Sequence, residues 1–495
     1  LLAALALIGA AAEARASAED LAAKAERGKE AMAAGRFDEA AALYGEITRA
    51  LPNEPGMRLN LGMALFMASR PREAVPHLEA ALKLRPDLLP ASLFLGAARL
   101  ELGQPARAVE PLQKVVAAQP DNEEARRRLA DAFWALERFE PAVEHYRALA
   151  EHSPQDPRSW YGLGQSYEGL ARGALERLQR SAPESDYVDR LVADTMAAEG
   201  RLANAFRLYR EALQKRPDLA EAHDALARIY DETGHGDWAA VERERARAIP
   251  PRECRTPTLE CDFGAKRYAS VLASARSAGT PEGLYWTSRA ARELASEAFA
   301  RLQQLPPSPE ATLRHTQVLR ARKRTLGRDA VDDLRKAMEA WPEDLRLRRE
   351  LATMLFVAGD AEGARPILED LHRREPESSE VALVLGETWL KLQQPAKAVP
   401  LLEDVVRRRP GMLPAQAALG RAYVELGAIE KAVSPLQAAL ESDTDGSLHY
   451  QLARAYRAAG RAEEASRALA RFQELRKSAE AEAQSLREEF QITPP

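Results

Sequence analysis

A chain of 495 residues with 46% apolar and 29% charged residues has the length of roughly three folded domains, and this composition excludes a disordered polymer. The net charge of −5, with no basic block, excludes the electrostatic footprint of a nucleic-acid binder. Two cysteines exclude a disulfide scaffold or a cysteine-rich zinc site, and no apolar run reaches the ~18 residues of a membrane span. Aromatics are only 6%, while Ala, Leu, Arg and Glu dominate, which favours helix.

Residues 1–12 (LLAALALIGAAA) form a short apolar run that ends in small residues, and Ala14-Arg15-Ala16 follows with the small-x-small pattern of a secretory cleavage site. Residues 1–16 are therefore expected to be a signal peptide, with Ser17 as the mature start. An uncleaved anchor is the alternative. Either reading places the folded part outside the cytoplasm, in the periplasm or attached to the cell envelope. No Cys stands near the site, so a lipid-modified start is not expected.

Beyond this segment the chain repeats with a period of about 34 residues. Gly28, Gly62 and Gly96 are evenly spaced, Ala40, Ala74 and Ala108 each follow twelve positions later, and Pro52, Pro86 and Pro120 close the units. A fourth copy has Ala130 in place of the glycine and keeps Phe133, Ala142, Tyr146 and Pro154. Gly200/Ala205/Tyr209/Pro217 and Tyr230/Gly234/Ala239 continue the pattern. Ala330/Pro342, Gly359/Ala364/Pro376, Gly386/Ala398/Pro410, Gly420/Tyr423/Gly427/Ala432 and Tyr456/Gly460/Ala465 resume it downstream. Two amphipathic helices cannot bury their apolar stripes alone, whereas stacked pairs share one continuous core. Small residues let the helices approach, and the closing proline stops the second helix.

These motifs, from about residue 21 to residue 476, resemble the tetratricopeptide repeat family. The resemblance implies an all-α fold: a right-handed α-solenoid superhelix of stacked helix-turn-helix repeats, here in two arms. The expected divisions are an N-terminal array over 17–250, an irregular Cys-containing junction over 251–281, a C-terminal array over 282–478, and a capping helix end with a tail over 479–495. Residues 159–183 and 283–307 depart from the pattern and predict units with shortened second helices. They share Tyr161/Tyr285, Leu170/Leu294, Ala174/Ala298, Leu178/Leu302, Gln179/Gln303 and Pro183/Pro307, which points to duplication of a multi-repeat block. Ile492-Thr493-Pro494-Pro495 is expected to fray.

In the family the first helix of each unit lines the concave face. That pattern assigns partner binding to Leu59, Asn60, Met63, Phe66, Met67, Leu93, Phe94 and Trp134, an apolar groove with adaptable Met side chains suited to a hydrophobic peptide or helix. A register error of one residue would move some of them into the inter-repeat core instead. Corresponding positions farther along hold Arg127, Arg128, Asp131, Arg190, Asp194 and Arg228, either a grip for acidic groups or a solvated face with internal ion pairs. Of the family's carboxylate clamp only Asn60 is reproduced, so that mode of recognition is not expected.

Cys254 and Cys261, with six residues between them, are a disulfide candidate in an exported chain; two unpaired thiols, or pairing with another chain, are the alternatives. The eight histidines show no pair at one-turn spacing, and neither a nucleophile elbow nor a phosphate-cradling glycine loop is present. The expectation is therefore a non-enzymatic scaffold or adaptor of the bacterial cell envelope that binds protein or peptide ligands, with no cofactor, metal, nucleic acid or small-molecule substrate. The alternative is a periplasmic assembly or export module serving an outer-membrane or polysaccharide secretion machine. The substrate arm of an enzyme ranks below both, because the repeats leave no room for a catalytic domain.

Overall fold

The computed structural model describes residues 19–250, 254, 258–276, 279–322, 328–489 and 492–495. The expected signal peptide lies outside these residues. Among the described residues the chain is helical, with no strand.

Four hairpins open the chain. They are α1 (19–33) with α2 (Phe37–Ala50), α3 (Pro55–Met67) with α4 (Pro71–Leu84), α5 (Leu89–Glu101) with α6 (Pro105–Ala118), and α7 (Glu123–Ala135) with α8 (Phe139–His152). After the single helix α9 (Pro157–Ser181) come α10 (Asp186–Ala198) with α11 (Leu202–Lys215), and α12 (Ala220–Glu232) with α13 (Gly236–Ala248). The short α14 (Leu259–Gly264) and α15 (Tyr268–Arg276) precede the long α16 (Pro281–Gln304). Five further pairs follow: α17 (Pro309–Arg322) with α18 (Arg328–Ala340), α19 (Leu345–Val357) with α20 (Ala361–Arg374), α21 (Ser379–Lys391) with α22 (Pro395–Arg408), α23 (Leu413–Glu425) with α24 (Ile429–Ala438), and α25 (Ser447–Ala458) with α26 (Ala462–Glu489). The architecture is an all-α solenoid of helix-turn-helix repeats.

Each hairpin turn among the described residues passes through one residue in the left-handed region. Gly35, Gly103, Gly200, Gly234, Gly359, Gly427 and Gly460 supply it where glycine is present, and Ser69, Glu137 and Gln393 adopt it at φ 55–59°. The turn is a Schellman closure. Arg36 N–H donates to the Ala31 carbonyl at 2.9 Å, and Arg70 N–H to the Leu65 carbonyl at 2.9 Å. Proline at the start of α3, α4 and α6 pre-sets the helical φ without losing a needed donor. Where the first helix carries the recurring glycine, it lies against the second helix at that residue. A Cβ on Gly62 would stand 2.6 Å from Leu78 Cγ, and one on Gly386 would stand 2.8 Å from Leu402 Cγ. Ala74, Ala108, Ala398 and Ala432 at the crossing are fully buried, as are Leu78, Leu112, Leu402 and Leu436.

Four expectations are corrected. Residues 159–183 and 283–307 are not hairpins with a shortened second helix: α9 runs unbroken for 25 residues and α16 for 24. Each has proline only at its first position, and none of its residues adopts a positive φ, so nothing turns the chain back. The Cys-containing segment is not irregular beyond Thr258. Thr258 caps α14, Lys266 takes the left-handed position at φ 58°, and Arg267 N–H donates to the Asp262 carbonyl at 2.8 Å, so α14 and α15 form a truncated repeat. The chain divides into two compact units within α9, Leu1–Ser166 and Tyr167–Pro495, rather than at residues 251–281. The last residues do not fray: Ile492 packs against the core around α11 and α12, and Thr493 is hydrogen-bonded there.

Candidate partner-binding surfaces

In the first unit, α3, α5 and α7 place their equivalent positions side by side. Leu59 and Phe66 belong to the buried cluster that joins α3 to α5, with Met63 and Phe94 packed against it half-buried. The Phe66 and Phe94 rings meet edge to face with centroids 5.6 Å apart, and the Arg128 guanidinium of α7 lies 6.0 Å above Phe66. Asn60 and Leu93 are half-buried, while Met67 is 44% and Trp134 42% exposed. Thus the eight residues divide. Leu59 and Phe66 are floor, Asn60, Met63, Leu93 and Phe94 are partly open, and Met67 and Trp134 stand in solvent. A pocket of about 580 Å³ in the same unit lies among α2, α3 and α4, lined by Asp38, Arg58, Arg70, Glu73 and His77 with apolar neighbours, and it includes none of the eight.

The charged positions behave differently. Arg127 is buried, 2.7 Å from Asp156, and donates to Ser159 Oγ at 3.3 Å. Burial opposes the Asp156 charge, yet Arg127 and Arg158 outweigh it and hold its carboxyl below the usual range. The Tyr146 hydroxyl donates to Asp131. Burial, then the neighbouring Asp131, pushes the pKa of Tyr146 up, so at neutral pH it is a donor.

The second unit repeats this Asp–Tyr pairing. Tyr209 donates to Asp194 at 2.6 Å, with the same fifteen-residue spacing as Tyr146 and Asp131. Buried Arg190 lies 2.9 Å from Glu221 and 3.5 Å from Asp186, with its guanidinium 4.3 Å above the Tyr285 ring. Arg289 reaches Glu221 at 2.5 Å, accompanied by Phe263, Tyr285 and Trp286. Arg292 donates to Thr195 Oγ1 at 2.7 Å. Burial works against the Arg289 charge, but Tyr285, Glu221 and Asp194 outweigh it and its pKa is raised. For Arg292 burial wins and its pKa is lowered. Arg228 stays exposed. Arg289 and Arg292 lie about a hundred residues beyond α10, so repeat spacing did not reveal them. Their only signal was one helix face of α16 carrying Tyr285, Arg289 and Arg292.

Cys254 and Cys261 are joined by a disulfide that ties α14 to the segment before it. Among the described residues no group of three or more His, Cys, Asp or Glu side chains could hold a metal ion. Among the same residues no helix is long and apolar enough to cross a membrane.

Tetratricopeptide repeat family models match residues 25–88, 68–123, 99–165, 315–380, 355–411 and 390–451, together more than half of the chain. The chain is 36% identical over 106 residues to the Hsp70-Hsp90 organizing protein of Triticum aestivum, covering 21% of this chain and 18% of that protein. It is 22% identical over 237 residues to a CTR9 homolog of Arabidopsis thaliana, covering 45% of this chain and 22% of that one. It thus spans only about a fifth of these curated relatives. A crystal structure of MamA is 21% identical with a TM-score of 0.30, covering 41% of this chain and 96% of that one. MamA of Desulfovibrio magneticus RS-1 is 17% identical with a TM-score of 0.22, covering 39% and 94%. With family models matching more than half of it, together with its left-handed hairpin turns and buried small-residue crossings, the chain belongs to the tetratricopeptide repeat family, whose arrays are protein-interaction scaffolds.

Proposed function

We propose that this chain is a non-enzymatic scaffold or adaptor of the bacterial cell envelope that holds a protein or peptide partner against the α3–α5–α7 face. The observation that carries the reading is the grading of that face, from buried Leu59 and Phe66, through half-open Met63 and Phe94, to exposed Met67 and Trp134. An apolar side chain of the partner gains contact area there, beside the Arg128 guanidinium that lies above Phe66. The helices already hold the face in shape, so binding orders little of the protein. The envelope location rests on the small-x-small pattern after the N-terminal apolar run, and the Cys254–Cys261 disulfide accords with an oxidising compartment.

The test is selection of peptides from a displayed library on the immobilised chain, repeated with Met67→Glu/Trp134→Glu. Both positions are exposed, so the double variant should unfold within about 0.5 kcal/mol of the parent. It should also lose the selected peptides by at least tenfold. Retention of the same peptides at the same affinity would remove this face from the proposal.

A further inference from the structure

Residues 492–495 return to helices more than 260 positions earlier in the chain. The Tyr230 hydroxyl donates to the Thr493 carbonyl at 2.6 Å, and Arg210 Nη1 donates to the Thr493 hydroxyl at 3.3 Å. Ile492 is half-buried against the cluster that contains Phe206, Tyr209, Leu226 and Tyr230. These three contacts read three different properties of an extended peptide: an aliphatic side chain, a main-chain carbonyl and a neighbouring hydroxyl. The receiving side is rigid. Tyr230 is fully buried, wedged edge-on between Phe206 and Trp238 at centroid distances of 5.6 Å each. Trp238 in turn stacks on His235 at 4.2 Å, and Arg210 lies 5.8 Å from the Phe206 ring. The Tyr230 hydroxyl is also hydrogen-bonded by Arg210, so with the tail seated Tyr230 and Arg210 together hold Thr493.

The bound segment is equally suited. Pro494 confines Thr493 to extended backbone, and Pro494 and Pro495 have fixed φ, so Ile-Thr-Pro-Pro loses little conformational freedom on docking. Aromatic side chains that donate to carbonyls of a proline-held extended strand are a general solution for such ligands. The tether includes α26, 28 residues and about 42 Å long.

We propose that the face formed by Phe206 and Arg210 of α11 with Tyr230 of α12 is a binding site for extended peptides that carry an aliphatic residue two positions before a proline. Residues 492–495 fill it as an internal ligand. The site uses helices other than α3, α5 and α7, so it stands or falls independently of the function proposed above. An external peptide of this class must displace the tail. The tether gives the tail an effective concentration on the order of millimolar, which weakens competing ligands accordingly.

The experiment measures anisotropy of a fluorescein-labelled octapeptide, Glu-Glu-Phe-Gln-Ile-Thr-Pro-Pro, on the full chain and on a chain ending at Glu489. The shortened chain should bind saturably, at least tenfold more tightly than the full chain. In the shortened chain Tyr230→Phe, which keeps the ring, and Arg210→Ala, at an exposed position, should each weaken binding several-fold with helix content unchanged. A peptide with Asp in place of the isoleucine should fail to compete. No saturable binding to the shortened chain, equal affinity for both chains, or indifference to both substitutions would overturn the proposal. A full chain that sediments as a dimer and becomes monomeric on truncation would assign the site to a second copy's tail and overturn the internal arrangement.

Discussion

The face of α3–α7 and the α10–α16 cluster occupy the same positions of the repeat with opposite chemistry. Leu59, Leu93, Arg127 and Arg190 share one position, and Met63, Ala97, Asp131 and Asp194 share another. Where the position holds arginine, the charge is buried and answered from within its own unit, Arg127 by Asp156 and Arg190 by Asp186 and Glu221. Where it holds leucine the contact is apolar packing, with Leu59 buried and Leu93 half-buried, and at other positions of that face Met67 and Trp134 remain in water. A helix position that faces its neighbours can therefore close a unit or leave it open, and the residue type decides which. The charged cluster is spent on internal order, and the apolar face is the one we propose for a partner.

Removing one charge from the closed region should have the largest effect. Arg190→Ala would leave half-buried Asp186 to Arg216 alone and Glu221 and the Tyr285 ring to Arg289 alone, and the loss of this buried cation should cost about 3 kcal/mol in denaturant unfolding. A cost under 1 kcal/mol would show that the cluster is not a structural element. Gly62→Ala probes the open region from beneath, because the added methyl meets Leu78, and should cost about 2 kcal/mol. A neutral result would mean that α3 and α4 can slide apart. The smaller effect of pH should reach both units. His77, His145 and His372 are half-buried, and burial first, then nearby arginine, holds the pKa of each below the usual histidine value. The unfolded chain therefore binds more protons near its histidine pKa of about 6.5, so stability should fall as pH drops through that value. Thermal unfolding at pH 7.5 and pH 5.5 checks the direction, and replacing all three by Gln should flatten the difference. Smallest of all, Ser69→Gly should stabilise the α3–α4 turn by about 0.5–1 kcal/mol, since serine there is held at φ 59°. An unchanged or lower melting temperature would show that the left-handed turn is not strained.

The hairpins were legible because each is specified over a short distance. A glycine in the first helix, a leucine or tyrosine sixteen residues on and an alanine between them describe one crossing, as Gly62, Leu78 and Ala74 do. The candidate face was legible only in part. Spacing identified the first-helix positions, but whether Phe66 is floor and Trp134 is open depends on what the next helix places above each of them.

Local pattern alone established the helical period and the family, because neighbouring repeats touch at a constant sequence offset and the same residue types recur wherever that contact recurs. Only the tertiary structure decided that α9 and α16 run on unbroken, that Arg289 joins Arg190 on Glu221, and that Thr493 meets Tyr230. Those contacts join residues at separations that occur once in the chain. A single long-range contact has no periodic trace, and only the folded path brings its two ends together.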